Sequence, residues 1–495
     1  MSIYLYLIIA YILVLLGFNL YRSFRVKSQE DMMVAGRSLS MRVMVFTLIC
    51  TWIGSGTFIA GAEYAAKAGW SALWMPAGAW VGIIFIYFLA AKIRTFGQYT
   101  IGDILEVRYG KFARIFGAFA LIISFIAIVS YQFKAGGYII NVITDGALTE
   151  YQGTVITASL VILFTALAGM MAVAYTDLPN GIIILSACIL ATPLVYFAAG
   201  GWEHAVTVLP PGHFDAYNPD FGEHPFFKAS SYFLATMLLL MGVQSMYQKF
   251  YSAKTPKDAK TAVIWWTIGT IFVETVVIVI AVFAASYFWV QIQDGSINPA
   301  SIVLQAARKM IPWPVGVLLL AAACAVVIST GMNYLLSPTT NIMRDVYQRF
   351  ISPNASQNTM IILQKLCIVI FGIIAFYLAT QLRSVLEMSY FAYTIYGAAL
   401  TPALIAALAW KRATKVGGLV SIISGTLVTL LLKMVGYIWP SVMVPVADPN
   451  GDPWGIPIIY PAVIASVGTL IIFSYLTPAP KKEEIEALFP EEQKA

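Results

Sequence analysis

A few polar residues stand inside long apolar runs, and their types suit holding a small cation and a solute. Ser329 and Thr330 are adjacent in AAACAVVISTGMNY. Hydroxyls in such a run often bond back to their own helix. Facing a broken helix, the same pair would give oxygen ligands to a small hard cation, and unwound carbonyls would add more. Asp177 follows Thr176 in AVAYTDLPNG. A carboxylate at membrane depth is costly and is a functional candidate by default, unless it lies near the inner end of its span, where water reaches it. Lys134, Glu63 and Glu274 also fall within apolar runs. Lys134 can snorkel from the outer half of its helix, and a Glu63–Lys134 pair would neutralise two of these charges.

Two runs are awkward as simple helices. One reads TWIGSGTFIAGAEY, with Gly54, Ser55 and Gly56 at its centre. The other reads LLLMGVQSMYQ, with Gly242, Gln244, Ser245 and Gln248. Small residues can serve close helix packing. They can equally mark helices broken at a binding site, and interruptions at matching places in two halves point to a transporter. These two lie five spans apart, each in the first helix of a five-helix group. The two groups show no clear sequence self-similarity, so the repeat is read from layout alone.

The elements that must position these residues are membrane spans. The chain has 495 residues, 60% hydrophobic and 11% charged, and a mean hydropathy of +0.80. Soluble proteins carry about 25% charged residues, so this chain cannot cover a globule with polar surface. Crossing a bilayer takes about 20 apolar residues. Thirteen runs qualify: 2–21, 43–67, 71–93, 115–145, 153–171, 173–199, 229–248, 260–290, 314–343, 358–380, 384–410, 415–437 and 457–476. The first has no small-residue cleavage signature and reads as a retained span. With the N-terminus outside, 23 of the 30 Lys and Arg fall on the inner side, as the positive-inside rule requires. That places the protein in the plasma membrane (the inner membrane in a bacterium), multi-pass, with a cytoplasmic C-terminus.

Other classes fit poorly. Basic residues are scattered through short loops, not clustered as on a nucleic-acid-binding face. HExxH, GxSxG and intramembrane histidine are absent, so an enzyme is not expected. A channel remains open until flux is measured. Cys50, Cys188, Cys324 and Cys367 lie in apolar runs and read as buried thiols. His204, His213 and His224 match no metal spacing and read as residues of an exposed loop. No organic cofactor is expected.

At these residues the chain resembles the sodium:solute symporter family. The resemblance covers about residues 1–435. It is carried by the glycine-rich TWIGSG, the Thr176-Asp177 pair, TIGDILEVRYG at 100–110 and MGVQSMYQKFYSAK at 241–254. Its strongest element is Ser329-Thr330, followed by Arg344-Asp345-Val346-Tyr347. The resemblance implies an all-α, leucine-transporter-like bundle of about thirteen transmembrane helices, with two inverted five-helix repeats whose first helices are discontinuous. On that pattern 1–22 is a leading helix, 43–199 the first repeat, 200–228 an extracellular loop and 229–410 the second repeat. Two extra helices at 415–476 and a cytoplasmic tail at 477–495 follow.

The resemblance also implies a function: symport of sodium, as coupling ion, with a small organic solute into the cell by alternating access, by a protein working as a monomer. The solute would be an amino acid, carboxylate, quaternary amine or vitamin. Proton-coupled or uncoupled transport on the same fold is the alternative. Carried over by position, the sodium ligands are the carbonyls of Cys50, Ile53 and Val326 and the hydroxyls of Ser329 and Thr330. Some members bind a second sodium through an aspartate and two serines. Asp177 matches that aspartate, but Met332 and Asn333 stand at the serine positions, so one sodium is expected and Asp177 with Asn333 marks the second site. The solute would lie among Trp52, Ser55, Gly56, Thr57, Tyr131, Gln132, Gln244, Ser245 and Gln248. TWIGSG and Ala62-Glu63 look nearest to the choline branch, whose aromatic cage would suit a quaternary amine. Two cage positions are Ile128 and Val243 instead. A Lys134 facing the cavity would favour an anionic or zwitterionic solute.

Overall fold

The computed structural model describes residues 3–23, 28–219, 224–382, 384–438 and 457–489. The described part is helical. In chain order the principal helices are α1 (Ile3–Ser23), α2 (Met41–Trp52), α3 (Ala62–Ala68), α4 (Trp74–Phe96), α5 (Ile101–Tyr109), α6 (Lys111–Ile143) and α7 (Glu150–Ala198). They continue with α8 (Pro225–Gly242), α9 (Gln244–Ser252), α10 (Pro256–Tyr287), α11 (Trp313–Asn341), α12 (Gln357–Gln381), α13 (Val385–Ala399), α14 (Thr401–Ala409), α15 (Lys415–Ile438) and α16 (Ile459–Leu476).

Twelve helical runs among the described residues are long and apolar enough to cross a membrane. One, Gly56–Phe96, contains Gly69 at φ +62°, where the chain turns from α3 into α4. Its first part continues α2 beyond a break. Divided there, the run supplies two of the apolar helices expected from sequence, at 43–67 and 71–93. The turns carry local signals for helix starts. Thr100 and Thr149 form capping boxes with Asp103 and Gln152, and Thr255 caps α10 ahead of Pro256. Within α7, Gly169 at φ +58° separates two crossings; a Cβ there would come within 2.3 Å of Met32 Sδ, so only glycine fits the turn.

α11 and α13 are the most enclosed helices, and α11 packs most extensively on α7. The outer faces of α1, α4 and α12 expose Leu13, Val14, Phe88, Ile362, Ile373 and Tyr377. That apolar surface is stable against lipid and not against water. All four cysteines are free thiols, and Cys367 is only half-buried.

One loop reading is corrected. His213 is buried, not exposed: its Nε2 lies 3.3 Å from Ala66 O, and its ring meets Trp289 edge-on. A Cβ on Gly69 would come 2.0 Å from His213 O, so the 200–219 segment is seated directly on the α3–α4 turn. Of the tail, Lys482–Ile485 forms a short helix and Phe489 lies under Lys92; residues 490–495 lie outside the described residues, as does Arg383 among the outer cations.

Candidate functional site

α2 ends at Trp52 because Ile53 turns to extended backbone (φ −70°, ψ 102°), and helix resumes through the π-helical Gly56–Gly61 into α3. A break of this kind frees terminal carbonyls from intrahelical bonding. A Cβ on Gly54 would come within 2.8–2.9 Å of Thr330 and of Gln132 Nε2, so glycine is what allows α11 to approach the break. There the Thr330 hydroxyl lies 3.0 Å from Cys50 O and 3.2 Å from Ile53 O. One hydroxyl proton serves one carbonyl at a time, so three oxygens converge with one proton between them. A monovalent cation suits that arrangement. Val326 is fully buried one turn before Thr330.

Ser329 turns the other way and donates to Asp177 Oδ1. Thr47 donates to Asp177 Oδ2 at 2.5 Å, and the Cys50 thiol donates to the Asp177 backbone carbonyl at 3.2 Å. Asn333 Nδ2 donates to Ser329 O at 3.0 Å, while Asn333 Oδ1 accepts from Lys249 Nζ at 2.5 Å. Asp177 and Asn333 are thus linked through Ser329, beside a fully buried lysine.

Beside the first break is a small cavity lined by Trp52, Gly56, Thr57, Met75, Thr236, Glu274 and Tyr393. The Glu274 carboxylate organises it. It accepts from Trp52 Nε1 at 2.9 Å, Trp80 Nε1 at 2.8 Å and Thr57 Oγ1 at 3.4 Å. The hydroxyls of Tyr131 and Tyr393 lie 3.3 Å apart over Gly56, whose missing Cβ makes room for the Tyr393 hydroxyl. Ser55 N donates to Gln132 Oε1 at 3.1 Å. Ser55 Oγ and Gln132 Nε2 are buried at the break and have no hydrogen-bond partner among the described residues. Trp52, Ser55, Gly56, Thr57, Tyr131 and Gln132 are therefore brought together.

Gln244 and Gln248 are not at this cavity. α8 ends at Gly242, Val243 is extended, and Tyr396 clamps the gap by donating to Gly242 O and accepting from Gln244 N, both at 2.9 Å. α9 then presents Gln244 and Gln248 on one face, four residues apart. Gln244 Oε1 accepts from Ile101 N at 2.6 Å, at the start of α5. Gln248 accepts from Ser337 at 2.5 Å and donates to Met33 O at 3.4 Å. Both hold the inner side of the bundle. Ser245 is buried beside Tyr334.

The Glu63–Lys134 pair does not form. Glu63 bonds Lys67 at 2.7 Å, Ser384 at 2.9 Å and Leu386 N at 3.3 Å. Lys134 points to Glu150 at 3.6 Å and over the Tyr138 ring, away from the cavity. Proximity in depth could not choose among several carboxylates on different helices.

The end of the bundle around α5 is tied together by charge. Arg114 bonds Asp103 at 2.8 Å, Asp345 at 2.6 Å and Glu106. Thr100 and Asn341 donate to Asp345 at 2.8 and 2.7 Å, and Arg349 reaches Glu106 at 2.6 Å. Burial alone would raise the Glu106 carboxyl; Arg114 and Arg349 outweigh it and hold the group below the usual carboxylate range. This places TIGDILEVRYG: it is α5 with its cap, fastened to α6, α9 and the helical stretch Ile342–Ile351.

Two residues central to the geometry were not singled out as ligands from sequence. Glu274 was visible only as one intramembrane carboxylate among several. Lys249 ends an apolar run and counted as an inner-loop cation; the break at Val243 redirects α9 and buries it.

A family model for the sodium:solute symporter family matches residues 32–425. The chain is 24% identical over 444 residues to the high-affinity proline transporter PutP of Bacillus subtilis, covering 86% of this chain and 90% of that one. It is 27% identical over 477 residues to the osmoregulated proline transporter OpuE of the same organism, covering 92% and 90%. Among solved structures, a sodium-coupled sialic acid symporter in a substrate-bound outward-open state matches with a TM-score of 0.76 at 17% identity, over 97% of this chain and 99% of that one. That likeness shows the fold. A broken helix at Ile53, a second break at Val243 and a family model spanning residues 32–425 lead to one conclusion: the chain belongs to the sodium:solute symporter family.

Proposed function

We propose that the solute is a small zwitterionic amino acid of the proline type, bound between Trp52, Thr57, Glu274 and Tyr393. Family membership makes the protein a sodium-coupled symporter of a small organic solute. The observation that carries the finer reading is the Glu274 carboxylate, buried at the broken helix and facing the cavity beside two aromatic rings whose centroids are 6.5 Å apart. An ammonium group would be held by the carboxylate and the ring faces together. The unpaired Ser55 Oγ and Gln132 Nε2 are donors suited to the solute's carboxylate. The proline transporters among the relatives have a solute of this chemistry.

Sodium is assigned to Cys50 O, Ile53 O and Thr330 Oγ1, with Val326 O one turn before Thr330 completing the shell; the Ser329 hydroxyl, expected as a ligand, is turned to Asp177 instead. Ion binding there fixes α2 against α11 and so sets Ser55, Gly56 and Thr57, which follow the break directly. Solute affinity then depends on sodium because one backbone segment serves both sites. The cycle is alternating access in a monomer, with 43–199 and 229–410 as the inverted repeats and the Arg114–Asp345 network as the inner closure. The distribution of Lys and Arg sets the N-terminus outside and the C-terminus in the cytoplasm.

The test is thermal stabilisation of purified protein in sodium and in potassium by proline, other amino acids, glycine betaine, choline, monocarboxylates and sugars. A ligand of the folded state raises the melting temperature. A shift with proline-type amino acids that requires sodium is expected. Glu274→Gln should weaken that solute at least about tenfold, consistent with a charge-assisted bond, while the shift from sodium alone persists. A sodium-dependent shift from a carboxylate lacking an amine would overturn the assignment of Glu274.

A further inference from the structure

We infer that the ammonium of Lys249 is a cation built into the chain, standing beside Asp177 where a second sodium would otherwise bind, and that it limits the transporter to one sodium per cycle. The inference rests on the sodium site assigned to Cys50, Ile53 and Thr330, and concerns the site next to it.

Asp177 is fully buried and collects the hydroxyls of Thr47 and Ser329. With the Asn333 amide one turn beyond Ser329, this is a carboxylate and neutral oxygens in one dry pocket, a donor set that takes a hard cation. An unpaired carboxylate at that depth is costly, so the pocket must contain a positive charge. Lys249 supplies it. Its side chain is fully buried, and through Asn333 it joins the Ser329–Asp177 cluster. Its Nζ bonds Asn333 Oδ1 at 2.5 Å and Met170 Sδ at 3.1 Å. Lysine has only donors, so it turns the Asn333 oxygen toward itself and the Asn333 amide nitrogen toward Ser329 O. The oxygen a sodium would use is therefore engaged by the chain's own ammonium, and the pocket is already neutral. A further cation would meet like-charge repulsion at short range in a poorly screened interior. Because Ser329 adjoins Thr330, the tethered charge stands next to the first sodium site without occupying it.

The test counts sodium in proteoliposomes at zero membrane potential. With one sodium per neutral solute, a tenfold sodium gradient balances about a tenfold opposing solute gradient; with two it balances about a hundredfold one. The native protein is expected to balance at tenfold. Lys249→Gln should open the site, moving the balance toward hundredfold and the sodium Hill coefficient from about 1 toward 2. Lys249→Arg keeps the charge and should stay at one sodium. Lys249→Gln combined with Asp177→Asn removes both charges and should also stay at one. A native balance at hundredfold overturns the inference whatever the variants do, including a Lys249→Gln chain that fails to fold. So does a folded Lys249→Gln protein with unchanged balance and sodium activation. Native uptake that ignores sodium is a different result: it sinks the sodium assignment at Thr330 along with this one.

Discussion

Ser329 and Thr330 are neighbours in sequence with different duties. Thr330 faces the freed carbonyls of Cys50 and Ile53, and Ser329 holds Asp177. Ser329→Ala with Thr330→Ala should abolish sodium activation of uptake while leaving the protein monodisperse; normal activation in a folded double variant would remove the assignment. Asp177 and Lys249 carry a different cost. Both are fully buried and are joined through Ser329 and Asn333; removing one of two opposite buried charges typically costs about 3–5 kcal/mol, because the other is left without compensation. Asp177→Asn alone is therefore expected to lower thermal stability more than the Ser329/Thr330 pair does, read by melting temperature without ligand. If Asp177→Asn melts with the native protein, the two charges do not depend on each other.

The two broken helices are asymmetric as elements. At the first break, oxygens and unpaired donors converge, as the proposed ion and solute sites need. At the second, Tyr396 closes the gap, and α9 turns Gln244 to the start of α5 and Gln248 to Ser337 of α11. The first break is thus a binding element and the second a joint to the inner closure. Asp345 is the hub of that closure, contacted by Arg114, Thr100 and Asn341. Asp345→Asn should weaken it and populate inward-open states. Cysteines placed on the inner faces of α5 and α9 should then react several-fold faster with a membrane-impermeant thiol reagent applied from inside. Unchanged labelling would mean the network is structural and does not gate.

For the whole molecule, the ion gradient must drive uptake. A tenfold sodium gradient gives about 1.4 kcal/mol, and 100 mV gives about 2.3 kcal/mol per charge. Together these can concentrate a neutral solute roughly several hundredfold, so one sodium is sufficient. Transport of one net charge with a zwitterion should be electrogenic: solute-induced current should follow sodium and reverse when the combined gradients are reversed. Orientation is testable alongside it. A reporter fused after the tail should be active in the cytoplasm and protected from protease in intact cells; external cleavage would invert the topology.

The sequence by itself determined what depends on length, polarity and order along the chain. Apolar run length set the spans, Lys and Arg placement set their alternation, and glycine-rich interruptions in matching helices marked the breaks. Ser329-Thr330, TWIGSG and TIGDILEVRYG carried the family. Direction was decided only by tertiary packing. Lys249 reads as a loop cation until the break at Val243 turns α9 inward. Glu274 is one buried acid among several until Trp52 and Trp80 converge on it, and Gln244 and Gln248 look like solute ligands until Gln244 meets α5 and Gln248 meets Ser337 of α11. His213 is an unmatched loop histidine until the loop seats on Gly69. A sequence records which groups lie at membrane depth; which way each faces depends on backbone breaks and on partners about eighty to more than two hundred residues distant, and those exist only in the folded bundle.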